Sequence, residues 1–387
     1  MGYEINESSV KYTINLLLII CISVMALQFT HYNFMHTNSL IGPFIILVFL
    51  SMYFFFFVKQ LHISKYTVLL VSMTTLFFFY YIVNVNGNFE IDVQYLLYLT
   101  VIYFMFIFIS IFKETFIIYP MWTIFVFLYS NIVFLPMLIE DIRFINSNGL
   151  IAFLLLFFCM MSLNVSNMIF RVINIYSIIL LFIVIYDTNS RTTILALLFV
   201  LFIYSFWNKI CNYIKPVIIS IVALSILITF FYIKIKGTEI GTYLNEVSLK
   251  YTDKSLFSGR QRLWEGAINN VVDSDKVLLG LGNNVQFELL NGYLHSLYVQ
   301  LFYQGGLVGL LLFMCVLWII MSLIKETKNV STDHRLKTLV SFFIGILILQ
   351  VFEGQLIYSF SVISVLSWLI LALLVNKALF YIKDQNV

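Results

Sequence analysis

The sequence predicts an all-α, polytopic integral membrane protein with about twelve transmembrane helices, and three observations carry that prediction. Of its 387 residues, 61% are hydrophobic and 11% charged, and 40 Phe and 24 Tyr exceed what a soluble core needs. Apolar stretches of about 18–22 residues recur along nearly the whole chain, each long enough to cross roughly 30 Å of hydrocarbon as a helix. These runs are continuous rather than alternating, and a helix closes its own backbone hydrogen bonds in lipid, so helices are expected rather than a barrel.

The leader MGYEINESSV is acidic and polar, and the apolar run after it is long enough to remain as a span, so no cleavable signal peptide is expected. Spans are expected near residues 12–30, 40–58, 66–84, 93–112, 116–138, 149–164, 170–186, 192–208, 216–236, 305–324, 337–352 and 356–376. An N-terminus in the cytoplasm puts Lys11, Lys59, Lys65, Lys113, Arg171, Lys209, Lys215, Lys325, Lys328, Arg335, Lys337, Lys377 and Lys383 inside. Only Arg143 and Arg191 are then left outside in short loops, and thirteen against two is a strong positive-inside asymmetry. It sets the orientation, with both termini cytoplasmic, and supports an even number of spans. Cys21, Cys159, Cys211 and Cys315 lie in or at the ends of apolar runs, without disulfide or zinc spacing, and read as packing residues.

The organisation is therefore spans 1–9 over residues 1–236, an outer segment over 237–304 that carries the candidate site, and spans 10–12 over 305–387. Residues 237–294 hold five cations, Lys250, Lys254, Arg260, Arg262 and Lys276, against seven carboxylates. This is no general basic patch, and no nucleic acid is expected as a partner. Long connections of this kind are often functional. Part of it should be helical: Ser258 suits an N-cap with Gln261 three residues on, and Leu263, Trp264, Ala267, Ile268 and Val271 make one apolar face. Arg260 then falls in the first turn, where free N–H groups and the helix dipole favour an anion, and a guanidinium adds a fork suited to phosphate oxygens. Gly280 and Gly282 mark a turn. His295 opens a short apolar helix that Gly305 and Gly306 interrupt, a segment better suited to the outer interface than to spanning.

Four stretches in this order, SRTT at 190–193, SGRQRLWEGA at 258–267, LLGLG at 278–282 and HSLYVQLFYQGGLVGLLLF at 295–313, resemble the O-antigen polymerase and O-antigen ligase superfamily. The resemblance covers the last half of the chain, and Ser296 stands where asparagine often follows the histidine. It implies a GT-C-like glycosyltransferase of the bacterial inner membrane, independent of metal and cofactor, whose site faces the periplasm or exterior. Donor and acceptor would be undecaprenyl-diphosphate-linked oligosaccharides, with membrane lipids as surroundings and a chain-length regulator as a further partner. A polymerase joining repeat units is favoured, for O-antigen or for capsular or exopolysaccharide. The alternatives are a ligase moving glycan to lipid A core and a flippase for the lipid-linked glycan.

The residues suit that chemistry. A diphosphate leaving group needs charge stabilisation that grows as the sugar–oxygen bond breaks, and Arg191, Arg260 and Arg262 can supply it. An attacking hydroxyl needs a base, and a histidine, here His295, can take a proton near neutral pH. Glu353, in the outer connection FEGQ, and Tyr298 and Tyr303, just beyond the histidine, are secondary candidates for substrate contact. Blander readings stand beside these. Arg191 could bind lipid headgroups, Arg260 and Arg262 could be solvated charges, and the tyrosines could be interfacial anchors. His31, His36, His62 and His334 have no context that suggests chemistry.

Overall fold

The computed structural model describes residues 7–26, 64–84, 89–112, 117–131, 147–163, 167–188, 190–252, 255–257, 259–282, 294–327, 332–358 and 361–383, with Ile46, Val48 and Phe49. Every regular element among them is helical. The helices are α1 (Glu7–Ala26), α2 (Lys65–Val83), α3 (Phe89–Ile111), α4 (Tyr119–Tyr129), α5 (Ser147–Ser162), α6 (Met168–Thr188) and α7 (Arg191–Ser205). They continue with α8 (Ile214–Ile235), α9 (Glu239–Thr252), α10 (Arg260–Asp273), α11 (Leu297–Glu326), α12 (His334–Phe352) and α13 (Val362–Lys383).

Six described helices are long and apolar enough to cross a membrane: Lys65–Val83, Met168–Tyr186, Trp207–Ile235, Leu297–Glu326, His334–Phe352 and Val362–Phe380. Shorter apolar helices cover Val10–Ala26, Leu96–Ile111, Tyr119–Tyr129 and Arg191–Ser205. The expected span at 40–58 falls almost wholly outside the described residues, as do Ser258, Arg143, His31, His36 and His62. The last span was expected from residue 356; a short turn, Gln355–Tyr358, comes first, and α13 starts at Val362 because the Ser361 hydroxyl accepts the Ser364 N–H at 3.1 Å.

Helices α12 and α13 are buried over most of their length and form the centre, α12 lying along α7 and α13 against α3 and α5. Lipid is as apolar as leucine, so burial of hydrocarbon gives helices little reason to associate, and buried polar side chains act as clips instead. Asn376 donates to the carbonyls of Ile109 at 2.9 Å and Phe112 at 2.7 Å, satisfying the end of α3. The Asn15 carbonyl accepts from Ile118 N–H and Trp122 Nε1, both at 3.0 Å, joining α1 to α4.

The feature that shapes the site is a break in α11 at Gly306 (φ 58, ψ −156). The Gly-punctuated turn expected near Gly280 docks there. Leu281 and Gly282 N–H donate to the Tyr303 and Gln304 carbonyls at 2.8 and 3.0 Å, and Leu307 and Val308 N–H donate back to Val277 and Leu278 at 2.9 and 3.1 Å. Helix α2 closes the junction from the other side: Asn84 donates to the Gln304 carbonyl at 2.8 Å and the Tyr80 hydroxyl to that of Gly305 at 2.8 Å. Gly280 (φ 72) and Gly306 lie so close that a Cβ on either would overlap the other's backbone.

Gly280→Ala combines left-handed strain with a backbone clash, whereas a Cβ on Gly259 (φ 87) would meet nothing within 4 Å. In detergent-solubilised protein, Gly280→Ala is expected to cost about 3 kcal/mol or more and Gly259→Ala about 1 kcal/mol, read as a clearly larger fall in thermal midpoint for the first. Equal midpoints would remove the docked turn as a constraint.

Candidate active site

Helix α10 is built as its apolar spacing demands. Leu263, Trp264, Ala267 and Val271 are buried in a cluster with Ile233 of α8 and Val299 and Tyr303 of α11, and Ile268 is half-buried beside them. Arg260 lies in the first turn, as expected, but the helix starts at that residue, one later than a Ser258 cap implies: the capping position is Gly259 in the left-handed region, and no side chain caps the helix there. A residue with positive φ turns the chain sharply into the helix, and only glycine does so at little cost.

Trp264 fixes the segment that bears the histidine. Its ring packs against Tyr232 and Phe352, with centroids 5.3 and 6.2 Å away, and its Nε1–H donates to the Leu294 carbonyl at 2.6 Å. The next residue, His295, has φ 52, a left-handed conformation that costs a non-glycine residue about 1–2 kcal/mol and so needs such restraint. Ser296 then returns to extended backbone and α11 begins at Leu297. From the far side, Gly354 packs against the Ser296–Leu297 backbone so closely that a Cβ would lie 2.6–2.9 Å from three of its atoms.

Glu353, one residue earlier, ends α12, its N–H donating to the Leu349 carbonyl at 2.9 Å. Its carboxylate sits between two of the candidates. Oε1 lies 3.1 Å from Arg260 Nη2, and Oε2 lies 4.0 Å from His295 Nδ1. The Arg260 and Glu353 side chains are 16% and 9% exposed, the His295 side chain 35%. A carboxylate that far from water needs its cation, so Arg260 and Glu353 hold one another in place. At 4.0 Å the imidazole is beyond hydrogen-bond range of the carboxylate, which nonetheless faces Nδ1.

Arg191 is the first residue of α7. Contacts of Tyr204 with His334, and of Val200 with the site of Gly345, show α7 and α12 running antiparallel, so Arg191 and Glu353 lie at the same end. Its guanidinium donates from Nη1 to the Ser248 hydroxyl at 2.7 Å and from Nη2 to the Ser255 carbonyl at 2.9 Å, restraining the segment that leads into α10. Arg262 is exposed, two residues beyond Arg260 and therefore on another face of α10. Tyr298 is buried and donates to the Leu347 carbonyl at 3.2 Å, and Tyr303 is buried in the Trp264 cluster. His334 lies at the far end of α12, its ring 3.0 Å from the Thr338 hydroxyl.

Sequence reasoning did not find helix α9, the Trp264 clamp on Leu294, or Tyr80 and Asn84. Trp264 carried a signal, since an indole on a buried face needs a partner for its N–H; Tyr80 and Asn84 carried none.

Residues 176–314 match the family model described as O-antigen ligase. That match supports the O-antigen polymerase and ligase superfamily for this part of the chain. The superfamily consists of membrane glycosyltransferase-like enzymes acting on lipid-linked glycans, and the matched segment contains Arg191, Arg260 and His295, with Glu353 beyond it. A comparison with curated proteins gave no match. For an enzyme of this superfamily the Trp264 clamp should matter to both stability and catalysis. Trp264→Phe keeps an aromatic side chain but loses the indole N–H and part of the buried volume, leaving the Leu294 carbonyl short of a donor, and is expected to lower stability by about 1–3 kcal/mol or more and to reduce glycan transfer; unchanged transfer would mean that His295 is positioned by other contacts.

Proposed function

We propose that this protein is a polysaccharide polymerase, a metal-independent glycosyltransferase that joins undecaprenyl-diphosphate-linked repeat units at the outer face of the cytoplasmic membrane. The observation that supports it most is the Arg260–Glu353–His295 cluster, which pairs an anion-binding group with a base on a segment of the matching superfamily. The acceptor hydroxyl attacks the anomeric carbon of the donor sugar while the bond to the diphosphate breaks. His295 takes the hydroxyl proton through Nε2, and Glu353, facing Nδ1, steadies the imidazolium that forms. The departing diphosphate keeps the bonding electron pair, and Arg260 and Arg191 meet the charge that grows on it; Arg262, exposed nearby, contacts the donor further out. Tyr298 and Tyr303 shape the wall behind the histidine. Twelve spans with both termini cytoplasmic put this end of the molecule outside, in keeping with the thirteen-to-two distribution of short-loop cations.

A ligase is the second reading, because the matching model is described as O-antigen ligase. Both reactions break the same sugar–diphosphate bond and differ only in the acceptor. A gel profile of surface and lipid-linked glycans from a strain lacking the gene separates them: a single capped repeat is expected, and a full-length polymer stranded on its carrier would replace the polymerase reading with the ligase.

In reconstituted vesicles, His295→Ala is expected to slow transfer by about 10²–10⁴-fold at unchanged membrane level. Arg260→Lys keeps the charge opposite Glu353 but loses the planar fork, and should also lower the rate. Wild-type rates in both would sink the assignment, and inhibition by a chelator would sink its metal independence.

A further inference from the structure

Helix α9 leaves two sides uncovered, one polar and one apolar. It follows α8 after three residues, so it starts where a membrane-spanning helix ends. Ser248, Asn245 and Gly241 face the protein: Ser248 accepts from Arg191, Asn245 Oδ1 accepts from Leu256 N–H at 2.9 Å and from the Ser255 hydroxyl at 2.7 Å, and Gly241 abuts Ile235 and Phe257. Glu239, Thr242 and Glu246 form a polar face. Ile240, Tyr243, Leu244, Val247 and Tyr251 recur at helical spacing on a third, and Ile240, Tyr243 and Tyr251 are 64%, 65% and 75% exposed. Exposed Lys234 and Lys236 stand just before the helix and Lys250 near its end, suited to lipid phosphates. Tyrosines on the apolar face suit the headgroup layer, where a ring can be buried and its hydroxyl wet. A groove lined by Phe182, Ile185, Tyr186, Ile194, Leu197 and Leu198 runs between α6 and α7 below Arg191. It is apolar, and Phe182, Tyr186 and Leu198 on its wall are exposed.

The geometry points to α9 as an interfacial lid: its apolar face rests in the headgroup layer of the bilayer, Ser248 and Ser255 latch it to Arg191, and a lipid diphosphate whose chain lies in the α6–α7 groove takes over that guanidinium and releases it. The placement on the bilayer stands on α9 alone; the release rests on the donor proposed above. The exchange replaces two neutral acceptors with an anion, to which a guanidinium binds more strongly.

The test uses the full chain in phosphatidylethanolamine–phosphatidylglycerol vesicles, with Cys211→Ser and Cys315→Ser, and a spin label on Tyr243→Cys or Glu246→Cys. The label at 243 is expected to collide more with oxygen than with a water-soluble nickel chelate, and the label at 246 the reverse; greater nickel contact at 243 overturns the bilayer placement. Adding undecaprenyl diphosphate should narrow the spectrum at 243 in the native background and leave it unchanged with Arg191→Ala. No narrowing, or narrowing that persists without Arg191, overturns the latch. The depth readout needs no transfer activity, so its failure is distinct from failure of the polymerase reading.

Discussion

A helix can be interrupted within or beside hydrocarbon only if the backbone groups it frees find partners, because an unpaired one costs several kcal/mol there. The break at Gly306 meets that demand from two distant parts of the chain, the 277–282 turn and the Tyr80–Asn84 end of α2. Everything at the site follows from it. The short first part of α11 is held at a fixed angle, His295 stands at its start, and α10 packs over the Tyr303 side of the junction. Small residues make this possible: Gly305 and Gly309 leave room for the Tyr81 ring, whose hydroxyl donates to the Leu301 carbonyl at 3.2 Å.

On that frame the Glu353 carboxylate links the end of α12 to the starts of α10 and α11. Its pairing with Arg260 is a buried one, in which removing either partner strands the other's charge, so the pair enforces the positions of the elements that carry it. The left-handed backbone of His295 is the local expense of aiming the imidazole at the carboxylate, and Trp264 below and Gly354 beside it keep the strain from relaxing. Strain restrained from both sides suits the base role proposed for His295, since a base that wanders by an ångström loses much of its effect.

Arg191 is built differently. It contacts a neutral hydroxyl and a carbonyl rather than a buried carboxylate, and these are partners an anion can displace. The two arginines thus differ: Arg260 is fixed by a carboxylate, and Arg191 is held by contacts that can change. The α9 segment that Arg191 holds is largely exposed, whereas the Trp264 cluster is not, and mobile elements are drawn from such sparsely packed segments.

The sequence by itself determined the helical membrane class, the apolar face of α10, the turn at Gly280, the break at Gly306, and the order of stretches that marks the superfamily. Each of these is written in residues that are neighbours in the chain: a run length, a helical period, a glycine where φ must be positive. Only the tertiary structure decided which charges meet. Arg260 and Glu353 are 93 residues apart, Tyr80 and Gly305 are 225 apart, and Arg191 and Ser255 are 64 apart. In a soluble protein the apolar stripe of each helix would have hinted at its packed side. Here lipid and protein interior are equally apolar, so the spanning helices, unlike α9 and α10, read hydrophobic all round and the pattern carries no trace of which face turns inward.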